Sequence, residues 1–282
     1  MRRLSLVTAA ALLFAASTAG ASPILLNTYA GTGAGATTAR DDFRTAIGGG
    51  VVAGANGSFG GVRREINWDG VPDASSAPNN LAANFFNVNS PRGVVFSTPG
   101  TGFQVSATAA SGTSVEFGNI EPSYTSTFAA FSAQRLFTAL GSNIVDVSFF
   151  LAGTNTPALT SAFGSIFTDV DLANTTSLQF FDASNASLGI FFVPAVAGSD
   201  ETVSFLGARF SEAGISRVRI TNGNAALGAG VRDSNGNPTD LVVMDDFVYA
   251  EPTAAAVPEP ATLLLTGGGL VALAKRRRRA RA

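Results

Sequence analysis

The residues with the clearest chemical potential are two pairs of closely spaced aspartates. Asp169 and Asp171 stand in the segment FTDVD, and Asp245 and Asp246 stand in VVMDDFVY. Residues two apart on an extended strand face the same way, which would bring the first two carboxylates to within about 7 Å. Like charges that close need solvent, an arginine or a cation. Because calcium binds carboxylate oxygens, one hypothesis is a structural calcium ion at a sheet rim, held by some of these four residues.

A second interpretation gives the same aspartates a purely structural role. Both faces of VVMDDFVY are apolar apart from its two acids, so one acid must be buried and needs hydrogen-bond partners. The aspartates would then cap turns or pair with Arg217 and Arg219, which alternate with apolar residues in SRVRITNG. The segment RDSNGNPTD, which contains Asp233 and Asp240, is similar to a calcium-binding loop. Pro238 stands where that loop needs glycine, so we predict a solvated turn there.

Trp68, the only tryptophan, is the candidate for contact with a carbohydrate. In the segment INWDGVPD its ring could stack on a sugar, while Asp69 accepts hydrogen bonds from hydroxyl groups. A lone tryptophan at the end of a strand is more typical of a half-buried core residue. Sugar-binding surfaces usually present several exposed aromatic side chains, and this chain has only three tyrosines beside its tryptophan.

The chain contains no histidine and no cysteine, which narrows the chemistry available to it. Histidine-dependent catalytic triads, thiol nucleophiles, the usual zinc sites and disulfides are excluded. Glycosidase chemistry needs only two acids about 5–9.5 Å apart in a cleft, and no pair in the sequence identifies itself as such. We therefore expect a protein that is not an enzyme.

The first 21 residues have the three parts of a secretory signal peptide. Two early arginines, an apolar stretch and the small residues Ala19-Gly20-Ala21 follow one another in the expected order. Eight of the 18 basic residues but only one of the 20 acidic residues lie outside residues 22–257. This body therefore carries ten basic and nineteen acidic residues, a formal charge of about −9. Because an acidic body repels phosphate backbones, we expect no nucleic-acid partner.

The C-terminal end combines a Pro-Glu-Pro motif, an apolar segment and a basic tail. The motif comprises Val257, Pro258, Glu259 and Pro260. Fourteen mostly apolar residues follow at 261–274, and then one lysine and five arginines. A helix of fourteen residues spans about 21 Å, less than the ~30 Å hydrocarbon layer. Neighbouring apolar residues can lengthen it, however, and the basic tail would anchor it on the cytoplasmic side of a membrane.

This arrangement resembles the PEP-CTERM sorting signal of proteins exported by Gram-negative bacteria. The resemblance implies an exosortase of the inner membrane as partner, transient anchoring there and processing near Pro258-Glu259-Pro260. It also implies delivery to the cell surface or to the exopolysaccharide matrix. The body resembles uncharacterised β-rich surface domains in stretches such as FGSIFTDVD and VVMDDFVYAEP, and no catalytic residue carries over from them.

Short alternating segments separated by Gly, Asn and Pro predict a mainly all-β body. The candidate strands are Gly93–Ser97, Phe103–Ala107, Ser114–Phe117, Ile144–Leu151, Phe163–Asp169, Ser177–Asp182, Leu188–Val193, Thr202–Ala208, Ser216–Thr221 and Asp240–Tyr249. The turn residues at 183–186 predict a hairpin. One short helix is predicted from about Thr38 to Ile47. So many short strands favour an antiparallel β-sandwich that is jelly-roll-like, and all but one of the 22 phenylalanines in the chain lie outside the predicted signal peptide and are available to fill it.

The predicted organisation has four parts. A signal peptide (1–21) precedes the β-sandwich (22–250), a linker (251–257) and the sorting signal with its hydrophobic helix (258–282). We expect an exported surface or matrix protein that is structural or associated with exopolysaccharide. Two alternatives stay open, namely a calcium-dependent carbohydrate-binding module that uses Trp68 and a carboxylate-dependent glycan hydrolase.

Overall fold

Fourteen β-strands and little helix make up the described part of the chain, residues 22–50, 61–234 and 238–255 of a computed structural model. These residues belong to one unit, Ser22–Ala255. The predicted signal peptide, the motif at 257–260 and the hydrophobic helix lie outside them. Within the described part, no helix has the length and apolar character that crossing a membrane requires.

The larger sheet has seven strands, and every pairing in it is antiparallel. Its path runs through β1 (Leu25–Thr32), β11 (Val203–Phe210), β8 (Ala162–Thr168), β13 (Val243–Ala250), β5 (Phe137–Leu140) and β4 (Gly102–Val105). The seventh strand, β2 (Arg63–Ile66), pairs with β13.

The smaller sheet has five antiparallel strands. Their order is β10 (Ser187–Phe192), β9 (Ser177–Phe181), β12 (Arg217–Thr221), β6 (Ile144–Phe149) and β3 (Val94–Ser97). A separate short pair joins β7 (Ala158–Leu159) to β14 (Thr253–Ala254). Because β14 lies inside the predicted linker, the folded body continues almost to the sorting motif.

The two sheets enclose one aromatic core, as in a β-sandwich. Inward-facing residues of the larger sheet, such as Phe137, Phe163 and Phe247, belong to the same buried cluster as Phe96 and Phe180 of the smaller sheet. Burial of aromatic side chains is the dominant favourable term in such a core. The predicted antiparallel sandwich is therefore confirmed.

The outer face of the larger sheet is covered as well. Helix α1 (Ala34–Ile47) places Ala36, Ala39 and Phe43 on one side, and these pack on Ile166 and Val248. A third cluster, centred on the buried Phe117, Tyr124 and Phe128, packs on the start of β13 at Val243. The central strands β8 and β13 are consequently buried at every position.

Most predicted strands are present within two or three residues of their expected bounds, and the hairpin between β9 and β10 is confirmed. The predicted strand Ser114–Phe117 is wrong. Glu116 and Phe117 have φ angles of 50° and 62°, in the left-handed region that a strand does not use. In the described ranges, three short 3-10 helices (Asp73–Ser75, Ala109–Ser111 and Pro122–Ser126) and the single turn α2 (Phe85–Val88) accompany the strands and α1.

Candidate functional site

Three aspartates bring their carboxylates together at one end of the larger sheet. Asp169 and Asp171 follow β8, and Asp233 lies in the segment that leads to β13. One carboxylate oxygen of each lies within 4.8 Å of the others. Asp169 and Asp171 are 0% and 2% exposed, whereas Asp233 is half-buried. We call these three residues the aspartate cluster.

A turn of the backbone, rather than the alternation of a strand, brings these carboxylates together. β8 ends at Thr168, and Asp169 has a φ of 69°, so the chain turns at that residue instead of continuing as a strand. The N–H group of Asp169 donates to the carbonyl of Thr202 at 2.7 Å, which fixes the turn against the start of β11. The expectation that both aspartates stand on one face of an extended strand is therefore wrong, although their carboxylates do converge.

Asp240 supports the cluster without belonging to it. Its Oδ1 accepts the N–H of Asp171 at 3.0 Å, and its Oδ2 accepts the hydroxyl of Thr175. Asp233 accepts the N–H of Leu241 at 2.9 Å through Oδ1. The two bonds of Asp240 tie the loop after β8 to the segment before β13, two parts of the chain that lie more than 60 residues apart, while the bond of Asp233 lies within the second segment.

The cluster lacks compensation for its buried negative charge. All four carboxylate oxygens of Asp169 and Asp171 are buried and have no hydrogen-bond partner among the described residues. Burial, followed by the charges of Asp233 and Asp171, raises the pKa of Asp169 to about 9. Burial and the charge of Asp233 also raise the pKa of Asp171, and the nearby amide of Ser199 offsets part of this effect without reaching hydrogen-bond geometry.

Asp245 and Asp246 lie at a bulge in β13, away from the cluster. Oδ2 of Asp245 accepts the N–H groups of Phe131 and Ser132 at 2.6 and 3.1 Å, and Oδ1 accepts the Ser132 hydroxyl at 3.1 Å. The carboxylate thus holds the backbone at residues 131–132 against β13. Neither residue belongs to the aspartate cluster, so of the four candidate metal ligands only Asp169 and Asp171 lie together.

Asp246 is buried beside its neighbour. Its Oδ2 lies 3.7 Å from the guanidinium of Arg40, while its Oδ1 has no hydrogen-bond partner in the described residues. Burial raises the pKa of both acids, and the charge of Asp246 raises that of Asp245 further. Two adjacent residues can both be buried here because each face of the larger sheet is covered.

Arg217 and Arg219 pair with an acid that the sequence did not single out. Asp146 on the neighbouring strand β6 accepts from Arg217 at 2.6 Å and from Arg219 at 2.8 and 2.9 Å. Although burial alone would raise the pKa of Asp146, these bonds hold it below its ordinary value. The predicted alternation of β12 is confirmed, but its two arginines do not neutralise the four candidate aspartates.

Trp68 lies in the core, 1% exposed. Its ring stacks on Phe137 with centroids 4.1 Å apart, and Phe86 and Phe247 pack edge-on at 5.3 and 5.1 Å. The indole N–H donates to the carbonyl of Asp245 at 3.1 Å. The ring therefore has the core position that a lone tryptophan at a strand end favours, and phenylalanines occupy the positions that a stacked sugar would need.

Asp69 also serves the fold. It accepts the backbone N–H of Arg135 at 3.2 Å and the side-chain amide of Asn67 at 3.0 Å. Partial burial raises its pKa to about 6, and the charge of Asp246 adds to this. A surface cleft of about 380 Å³ lies beside Trp68. Its polar lining comes from Asn67, Asn89, Ser90 and Arg92.

Sequence reasoning missed Asp233 as a partner of Asp169 and Asp171. The segment RDSNGNPTD was interpreted as a local loop that would have to supply all its own ligands, and Pro238 argued against that. In the structure Asp233 contributes one carboxylate to a cluster whose other members come from a distant segment. No local spacing rule carries that signal.

Comparisons with known proteins identify the end of the chain rather than the body. Residues 256–279 match the PEP-CTERM protein-sorting motif. The resemblance predicted from Val257, Pro258, Glu259, Pro260 and the basic tail is therefore confirmed. No curated protein sequence matches the chain.

Solved structures give only distant likenesses. A glycoside hydrolase family 43 arabinoxylan arabinofuranohydrolase from Bacillus subtilis is 12% identical over 53% of this chain, with a TM-score of 0.27. The chain spans only 24% of that protein. A family 29 carbohydrate-binding module is 11% identical over 49% of this chain and 82% of its own length, with a TM-score of 0.25. These values assign no function to the body.

The sorting motif has direct consequences for the fate of the chain. It supports export, transient membrane anchoring of the C terminus and processing there by an exosortase, which is a membrane enzyme. The compact unit Ser22–Ala255 precedes this motif in the chain.

Proposed function

We propose that the protein is a non-enzymatic component of the cell surface or extracellular matrix, where it associates with exopolysaccharide. The observation that carries this proposal is the PEP-CTERM motif at residues 256–279, which follows a body built as an antiparallel sandwich. The motif accounts for export of the protein, and the sandwich is the folded domain that acts outside the cell.

The placement of the acids supports a structural rather than a catalytic role. Asp169, Asp171, Asp245 and Asp246 are all at most 5% exposed. A glycosidase acid must touch the scissile bond of a bound glycan. Carboxylates that are buried to this extent cannot contact the scissile bond of a polymer without opening the fold, and Asp245 already accepts hydrogen bonds from the backbone.

The surface and core of the body fit a durable extracellular scaffold. With no cysteine, the exported body relies on its core, and its buried aromatic cluster joins both sheets. Ion pairs also join neighbouring strands or segments at the sheet surfaces, such as Arg64 with Glu251 at 2.6 Å and Arg217 with Asp146 at 2.6 Å. A net charge of about −9 keeps the body soluble in a hydrated matrix.

Two experiments test the two halves of this proposal. For delivery, Pro258, Glu259 and Pro260 are replaced by alanine in a Gram-negative host that has an exosortase. The unaltered protein should appear outside the cell without its C-terminal segment, as measured by mass spectrometry. The variant should stay in the membrane fraction at the mass of the unprocessed C terminus. Equal release of both proteins would contradict the assignment.

For association, the protein is sedimented with exopolysaccharide purified from the same host, with dextran as the control polymer. Selective co-sedimentation supports a matrix role, and equal recovery with both polymers contradicts it. Release of reducing sugar from the exopolysaccharide would instead indicate a glycan hydrolase.

The cleft beside Trp68 favours carbohydrate binding as a second candidate function. Its amide, hydroxyl and guanidinium groups are of the kind that hydrogen-bond to sugar hydroxyls. The exposed Asn89 lies in the lining and can be changed to alanine without disturbing the core. If the cleft binds a glycan, Asn89→Ala should weaken binding by about tenfold, a loss typical of one hydrogen bond. Unchanged binding would remove the cleft from consideration.

A further inference from the structure

The aspartate cluster contains buried charge that the protein itself does not neutralise. Asp169 and Asp171 are almost completely buried, and none of their four carboxylate oxygens has a hydrogen-bond partner in the described residues. An uncompensated buried carboxylate costs several kcal/mol. Elsewhere in the same body, buried acids such as Asp146 and Asp245 are each met by three hydrogen bonds. The cluster departs from that pattern.

Protonation alone does not resolve this arrangement. A neutral carboxyl group has no charge, but its O–H then needs an acceptor while the second oxygen still needs a donor. The charged groups with the largest effect on Asp169 are themselves carboxylates, namely Asp233, Asp171, Asp200 and Asp240. A cation at the centre of the cluster would satisfy the oxygens and the charge together.

The spacing of the oxygens fits a shared cation. One oxygen from each of Asp169, Asp171 and Asp233 lies within 4.8 Å of the other two. Oxygens on opposite sides of a calcium ion, with bonds of about 2.4 Å, are about 4.8 Å apart, and those around magnesium are about 4.2 Å apart. Because Asp233 is half-buried, the cluster also has a side open to solvent through which an ion and its waters can enter.

The composition of the chain selects the kind of ion. Zinc and copper prefer nitrogen and sulfur ligands, and the chain has no histidine or cysteine. Calcium accepts six to eight oxygens in irregular geometry, so three carboxylates with carbonyl or water oxygens meet its needs. Magnesium demands a near-ideal octahedron of ligands. Two irregular segments, the loop after β8 and the segment before β13, are less suited to provide that geometry.

We propose that Asp169, Asp171 and Asp233 form a calcium-binding site that ties the loop after β8 to the segment before β13. The site goes beyond the matrix function proposed above and does not rest on it, since it belongs to the folded body alone. Sites of this kind in extracellular modules bind calcium with a Kd of about 10⁻⁴–10⁻³ M. Calcium outside the cell would then hold the end of the sandwich closed.

The test uses the full chain, purified, treated with EDTA and dialysed. Calcium chloride is titrated in by calorimetry, and thermal unfolding is followed by the fluorescence of Trp68. We expect one calcium ion per chain and a rise in melting temperature of roughly 5–10 °C when calcium is about 100 times its Kd. Magnesium at the same concentration should give less than half of that rise.

Two variants and a matched control locate the site. Asp169→Asn and Asp233→Asn should each lose most of the calcium-dependent rise. Asp42→Asn, which removes the same charge from the exposed surface of α1, should keep it. In EDTA, Asp169→Asn should melt at or above the temperature of the unaltered protein, because it replaces one of three clustered carboxyl groups by a neutral amide of the same shape.

Three results would contradict the proposal. The first is the absence of both binding heat and melting shift in the unaltered protein, which is decisive even if a variant does not fold. The second is a calcium response that survives in both Asp169→Asn and Asp233→Asn, since the ion would then bind elsewhere. An equal loss in the Asp42→Asn control would likewise count against the site, because it would indicate general charge screening.

Discussion

Replacing Asp245 separates the two ways in which a buried carboxylate affects stability. Asp245→Ala removes the acceptor of three hydrogen bonds and leaves the N–H groups of Phe131 and Ser132 without partners. Each unsatisfied buried donor costs about 1–3 kcal/mol. Relief of the repulsion by Asp246 offsets part of this cost. We therefore expect Asp245→Ala to lower the free energy of unfolding by about 2–4 kcal/mol.

Asp245→Asn retains the shape of the side chain and one acceptor oxygen while removing the charge. That oxygen can still accept both N–H groups, and the Ser132 hydroxyl can rotate to accept from the amide. Burial raises the pKa of Asp245, so the folded protein holds its proton to higher pH than the unfolded chain. The associated stability is complete below the unfolded value of about 4 and is lost as the pH rises toward the folded pKa. Asp245→Asn should thus lie within about 1 kcal/mol of the unaltered protein at pH 7 and lose less stability between pH 4 and pH 8.

The assay is urea unfolding in EDTA at several pH values, followed by the fluorescence of Trp68. This indole donates its N–H to the carbonyl of Asp245, so it reports on the same region. The difference expected at pH 7 corresponds to a melting temperature roughly 5–15 °C lower for Asp245→Ala than for Asp245→Asn. Equal destabilisation in the two variants would refute the reasoning, because the ionised charge, and not the acceptor geometry, would then be what the fold requires.

Three further substitutions, with one control, test the packing and the ion pairs. Trp68→Ala should cost about 3–5 kcal/mol, measured by circular dichroism, and a loss below 1 kcal/mol would contradict its place in the core. Gly164→Ala would put a Cβ atom 2.8 Å from Cα of Gly207 and should cost about 1–3 kcal/mol. Gly35→Ala in α1, where a Cβ meets nothing within 4 Å, is its control and should not destabilise the protein. Because the pKa of Asp146 is lowered in the folded state, its stabilisation exists above about pH 4 and is lost as the pH falls. Asp146→Asn should cost about 1–3 kcal/mol at pH 7 and much less at pH 3, and an equal loss at both pH values would contradict this.

The strands that could be predicted from the sequence are those whose pattern is local. β12 alternates buried and partly exposed residues as SRVRITNG predicts, and the hairpin between β9 and β10 forms around its turn residues. Strand β1 was not predicted, because its outward positions carry apolar residues such as Leu26, which is 51% exposed. Strand β2 was not predicted either, since its buried Arg63 and Glu65 look like surface residues until their mutual ion pair is seen.

In helix α1, one end could be predicted from a local sequence pattern and the other could not. Its C-terminal end at Ile47 was predicted from the glycines that follow, and Gly48 with a φ of 112° ends the helix there. Its start at Ala34 lies four residues before the predicted one, because Gly33 at the N-cap position makes no side-chain cap that a sequence pattern could show.

The order of the residues alone was enough to identify the sorting signal at the C-terminal end and to predict the class of the fold. A sorting motif is contiguous, and alternation within a strand depends on neighbours along the chain, so both are present in the order of the residues. Only the tertiary structure decided that Trp68 lies in the core, that Asp146 rather than Asp169 meets the arginines of β12, and that Asp233 joins Asp171. Those outcomes depend on contacts between residues tens to hundreds of positions apart, whose geometry is fixed by the packing of two sheets and not by any local spacing.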